Sequence, residues 1–233
     1  SFSLKTGYSF YGTRQFDLHF YNIMSYDVPI QPTFHFKKAA VAFPMHYNYV
    51  TVNGKTYLST LGLSNVNNFQ LPGAKMLQTQ LQCNIKDYHW AIINPDDSKK
   101  GHEMLASVGI FQFFGKRQEG LLSLRYAINY EDTKGHNWNY LGNRVTFASV
   151  VPIAEKLKWN FVADVFHQDF TGVNSNYDKK RTDNVFTVSN LLAYEIIKNT
   201  ELQLQYTHVY DAASIGVYKY GKDVYSVGAK YRF

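Results

Sequence analysis

The side chains able to make or break bonds are scattered through this sequence, and the scatter narrows what the chain can do. Of eight histidines, only His167-Gln168-Asp169 approaches a constellation, with Asp164 and Asp183 as candidate neighbours. Acid–base or nucleophilic chemistry there would need a nucleophile and base on adjacent strands with a third group orienting the base. A hydrated cluster at a strand end is the simpler reading. His89, His102 and His136 fall in or beside loops at spacings that match no zinc pattern. Asp96-Asp97 offers oxygen ligands of the kind calcium takes, but beside Lys99 and Lys100 it reads as a polar loop. Gly101 and Gly120 stand alone and make no phosphate-binding loop. The single cysteine, Cys83, excludes an internal disulfide and reads as a small apolar side chain. Neither a catalytic group, a metal nor a cofactor is expected, and the chemistry that remains is non-covalent.

That chemistry depends on which way the strands point their side chains. A strand sends successive residues to opposite faces. Lys75 to Lys86 places Leu77, Thr79, Leu81, Cys83 and Ile85 on one face, and Gln78, Gln80, Gln82, Asn84 and Lys86 on the other. A row of amides suits a hydrated lumen better than the charged face of a soluble sandwich. The same phase turns Arg125, Arg144, Lys158, Lys230 and Arg232 inward, beside Asp164, Glu195 and Glu201. These charges either pair across the interior and brace it, or form a basic constriction that selects anionic solutes.

Alternation recurs along the chain. It runs through Ser1 to Gly12, Gln15 to Tyr26 (losing its phase near Asn22), Lys38 to Val50, and Leu122 to Tyr130, and then from Leu157 to Val165 and Leu202 to Thr207. His102 to Phe114 is apolar on both faces and ambiguous in phase. Asp27 to Phe36, with Pro29 and Pro32, reads as a connection, because proline cannot donate to a ladder. Pro44 suggests a bulge. Asn53-Gly54 is the strongest hairpin signal, since both residues tolerate the positive φ of a type I′ turn, and Pro72-Gly73 marks another turn. In the second half, the connections 115–120, 152–156 and 198–200 are short, whereas 87–101, 131–138, 170–181 and 211–223 are longer.

About twelve strands of roughly ten residues match the length of tilted membrane strands. Aromatic residues make up 17% of the chain, high for a soluble domain, while mean hydropathy stays below zero. Aromatic girdles around a polar lumen reconcile the two. No run approaches the ~18 apolar residues of a membrane helix. The expected fold is all-β: one antiparallel up-and-down transmembrane barrel over residues 1–233, with short periplasmic turns and longer extracellular loops. The formal charge of +6 does not interleave with aromatics on one face, so nucleic acid is not an expected partner. Ser1 opens on a strand pattern with no signal peptide, as in a mature form or a fragment of a longer chain.

The last strand, Tyr225 to Phe233, resembles the C-terminal signal strand of bacterial outer-membrane barrels, through Gly228, Tyr231 and Phe233. The resemblance implies recognition by the barrel assembly machinery and a Gram-negative outer membrane, with its lipid and lipopolysaccharide as surroundings. From Tyr47 onward, the order of pieces is similar to the barrel domain found behind tetratricopeptide repeats in outer-membrane proteins of the surface lipoprotein assembly modifier type. The residues concerned are Asn53 to Tyr57, Val151-Pro152, Lys180 to Asn184 and Ser214 to Tyr220. A porin-like conduit for small or anionic solutes or polymer is the expected function. The alternative is a non-conducting anchor or assembly partner in a larger complex with a periplasmic partner; a barrel hydrolase ranks third.

Overall fold

The computed structural model describes residues 1–15, 19–89 and 93–231. Its strands are β1 (Phe2–Thr6), β2 (Ser9–Thr13), β3 (Ile23–His35), β4 (Ala39–Ala42), β5 (Met45–Val52), β6 (Lys55–Leu71) and β7 (Lys75–Tyr88), followed by β8 (Gly101–Phe114), β9 (Gly120–Thr133), β10 (Tyr140–Ala154), β11 (Leu157–Asn174), β12 (Lys179–Ile197), β13 (Thr200–Asp211) and β14 (Tyr220–Tyr231). All pair antiparallel in one sheet. Arg232 and Phe233 lie outside the described residues, as does the stretch 16–18 of the strand expected from Gln15.

Among the described residues, fourteen segments occupy twelve tracks. β1 and β2 meet β3 in one unbroken register, Phe2 opposite Phe34 and Ser9 opposite Asp27. β4 and β5 likewise share one register on the other side of β3, Thr33 opposite Ala42 and Ile30 opposite Met45. The expected connection over Asp27 to Phe36 is therefore a strand, and its prolines explain the interruptions beside it. Gly7 N donates to Pro29 O at 3.2 Å and Phe43 N donates to Pro32 O at 3.0 Å. Neither proline can return the bond. Each deletes one rung on one side, which splits one neighbouring track without ending the strand. The register is the same on both sides of Pro44, so the expected bulge is not there; the register shifts instead between Val50 and Thr51.

The connections at one end are short: two to five residues at 36–38, 72–74, 115–119, 155–156 and 198–199. Those at the other end are mostly longer: 89–100, 134–139 and 212–219. Asn53-Gly54 is the tight exception there, with φ of 50° and 73° as a type I′ turn requires. The expected loop 170–181 contracts to 175–178, because β11 and β12 continue to Asn174 and from Lys179. β12 reaches 19 residues, about twice what crosses a bilayer, so the loop ends of these strands stand proud of any hydrocarbon layer.

The sheet curls. Asn94, between β7 and β8, donates to Ser175 and Asn176, between β11 and β12, at 3.2 and 2.8 Å. On a flat sheet those connections would sit four strand spacings, ~19 Å, apart. The convex face is apolar, and Leu81 and Ile85 are 61% and 57% exposed. β8 resolves its ambiguous phase with Met104, Val108 and Ile110 on that face. Cys83 lies there as well, opposite Leu63 and Met104. The strand path ends at β1 with β2 on one side and at β14 on the other; among the described residues no ladder joins these edges, and β14 is exposed throughout.

Candidate functional site

The concave face carries the polar chemistry. Gln80 donates to Gln82 at 2.9 Å and Gln82 to Asn84 at 3.0 Å. This ladder runs into an ionic cluster in which Lys86 Nζ lies 2.8 Å from both Glu103 Oε2 and Glu131 Oε2. Glu103 also accepts from Asn84 and Asn129. Glu131 sits two strands from Lys86, in a position assigned to a loop by sequence.

Towards the short-turn end, Arg125 Nη2 donates to Gln78 Oε1 at 2.7 Å. The two residues lie on β9 and β7, and the position between them is Gly109. A Cβ there would come within 3.3 Å of Phe111 and 3.4 Å of Arg125 Cβ. The bare glycine lets the arginine lie across the intervening strand, a role that an isolated glycine within a strand pattern signals. On β10, Arg144 Nε is 3.5 Å from Asp164, and its guanidinium stacks 4.1 Å above Phe166. Asp164 also accepts from Thr146 at 2.6 Å. Arg125 and Arg144 are diagonal neighbours, because Arg125 pairs with Thr146 and Arg144 with Ala127.

Other expected lumen residues do not join this cluster. Lys158 has the inward phase and is exposed near the short-turn end. Lys230 stands opposite Glu201, and Gly228 opposite Gln203, on the exposed β14. A Cβ at Gly228 would meet nothing within 4 Å, so space does not require the glycine. Tyr231 is 58% exposed on the convex phase. The His167 constellation does not form: His167 pairs with Asn184 at 2.9 Å on the convex face, while Asp164 and Asp183 occupy the opposite phase.

At the loop end, residues far apart in sequence meet. Arg181 Nε donates to both oxygens of Asp183, at 3.0 and 2.8 Å, and its Nη2 donates to Oδ2 as well. Asp183 is 0% exposed. The guanidinium lies 3.6 Å from the Tyr218 ring, 4.4 Å from Phe170 and 5.2 Å from Trp138. Lys99 Nζ lies 3.8 Å from the same indole. Burial, and then the charge of Arg181, hold the Lys99 ammonium below its usual pKa. Around this cage, Asn137 donates to Asp97 at 2.9 Å and Asn176 donates to both Asp97 oxygens at 3.0 Å. Alternation could not reveal the cage, because its members come from three connections and the ends of two strands.

Two depressions stand out. The larger, about 610 Å³, lies on the convex wall among Leu63, Leu81, Met104 and Ile128, a shallow apolar groove of the kind a lipid chain fills. The other, about 480 Å³, lies beneath residues 97–100, between them and Ile23, Val52, Tyr57 and Tyr88.

No family model matches the sequence, and no curated protein sequence matches it. Among solved structures, the NanC porin aligns with a TM-score of 0.51 at 11% identity, over 99% of this chain and 100% of that one. The translocator domain of the autotransporter NalP from Neisseria meningitidis gives 0.37 at 13% identity, over 100% of this chain and 86% of that one. The likeness to NanC is one of fold: an antiparallel barrel of the outer-membrane type.

Proposed function

We propose that this chain is an outer-membrane conduit that passes small solutes through an amide-lined interior and favours anions over cations. The observation that carries the reading is the placement of Arg125. Its guanidinium is held by an amide, and among the described residues no carboxylate bridges it. An amide orients the group without neutralising it, so its positive charge faces the interior. The apolar convex face and polar concave face supply the two solvents such a wall needs. The test is conductance of the refolded protein in planar bilayers under a potassium chloride gradient. Stepwise currents with an anion-favouring reversal potential are expected, moving towards neutrality in Arg125→Gln; a cation-favouring potential would overturn the preference.

A second reading follows the resemblance to surface lipoprotein assembly modifiers, in which the barrel anchors or assists a larger complex. It draws on the loop-end network of Asn94, Asp97, Asn137, Ser175 and Asn176, whose bonds span the mouth. Electrically silent protein that inserts stably into the bilayer would favour it.

A further inference from the structure

The cavity beneath residues 97–100 combines features that nothing described so far uses. Ile23 and Tyr88 share the concave phase with Asp27 and Lys86, so the cavity opens on the interior at its loop end. Tyr57 and Tyr88 meet edge to face, with ring centroids 5.6 Å apart, and Ile23 and Val52 extend that apolar wall. Lys99 and Lys100 line the cavity as well. Lys100 is paired with Asp87 at 2.7 Å. Lys99 is not: among the described residues no carboxylate or hydrogen-bond acceptor bridges it, and its contact is the Trp138 ring that it shares with Arg181. Asp97 also lines the cavity, but both of its oxygens already accept from Asn176.

A half-buried ammonium beside a second cation, with Asp97 and Glu131 acting on it only through space and no carboxylate in direct contact, is a position that an incoming anion stabilises. Arg181 reinforces this. Its Nη1 is buried without a partner, as is Trp138 Nε1; both residues lie behind Lys99, outside the cavity lining. The tyrosine and aliphatic wall sets the rest of the chemistry. A fully hydrated ion such as phosphate would lose water against it without compensation, whereas a solute with an apolar ring gains by contact. The volume, about 480 Å³, lies in the range of small-molecule sites.

We propose that this cavity is a docking station for a small carboxylate carrying a ring, its carboxylate on Lys99 and its ring against Tyr57 and Tyr88. The station rests on the conduit reading in one respect only: it gives a permeating solute its first stop at the loop-end mouth.

Binding and conduction can be measured apart. With the detergent-refolded 233-residue chain, 4-fluorobenzoate followed by fluorine NMR line broadening is expected to bind saturably, and 4-fluorobenzyl alcohol, of the same shape without the charge, more weakly. Lys99→Gln should weaken 4-fluorobenzoate at least about tenfold. Lys99→Arg should retain it, and Lys158→Gln, at the other end of the concave face, should leave it unchanged. Circular-dichroism melts confirm that each variant is folded. Equal affinity in Lys99→Gln, equal binding of the alcohol, or no saturable binding would each overturn the station. Binding by protein that is silent in bilayers would overturn the conduit and keep the station; conduction without binding would do the reverse.

Discussion

Arg181 holds its charge where almost no water reaches, and the price of that position appears only if its partner is left behind. Asp183 is wholly buried, so Arg181→Leu strands a carboxylate. A loss of about 3–5 kcal/mol is expected, read as a lower urea midpoint for the refolded barrel. The double variant Arg181→Leu with Asp183→Leu should recover much of it, because a buried pair replaced by apolar side chains is often neutral. If the double variant is no more stable than the single one, the aromatic cage of Phe170, Trp138 and Tyr218 requires the guanidinium itself. The sequence offered little sign of this arrangement. Lys99, Trp138, Arg181 and Tyr218 are far apart along the chain, and only the curl of the sheet brings their connections together. Gln78, Gln80 and Gln82 were legible, because one strand carries all three at a spacing of two.

At the scale of elements, alternation identified most tracks and failed where its assumptions did. Pro29 and Pro32 argued against a strand by the rule that a central strand needs its donors. β3 is nevertheless a strand, since each proline withholds a single bond and on opposite sides. Pro29→Val restores the missing donor facing Gly7 O. The new amide at 29 should be protected from hydrogen exchange, as ladder amides are, and β1 and β2 should join into one segment. Free exchange at that amide would show that the gap at Gly7 and Tyr8 has another cause. The stability change should stay within about 1 kcal/mol, because the hydrogen bond gained is offset by the chain stiffness lost with proline. Strand ends were misplaced for a different reason. The upper parts of β11 and β12 rise beyond where lipid would be, so nothing there compels apolar residues on the outer phase, and polar residues such as Thr171 and Lys180 read as loop.

For the whole molecule, the decisive property is that two adjacent side chains face different solvents. Leu81 and Gln80 are neighbours in sequence and lie on opposite faces of β7. In a lipid bilayer, Leu81→Arg should cost about 2–4 kcal/mol, the range for a cation near mid-membrane, while Gln80→Arg on the lumen side should cost little. Urea unfolding in lipid vesicles measures both. Equal costs would mean that the convex wall does not face hydrocarbon.

An even number of tracks has a consequence for handling the protein. Ser1 lies beside the 36–38 turn, its amino group bonded to His35 O at 2.9 Å, and Tyr231 lies beside the 198–199 turn, opposite Thr200. Whatever is fused to either end is therefore delivered to the same compartment. A tag placed in the 175–178 connection reports from the opposite one, which gives a two-colour protease-accessibility assay for orientation that leaves every barrel-wall residue untouched.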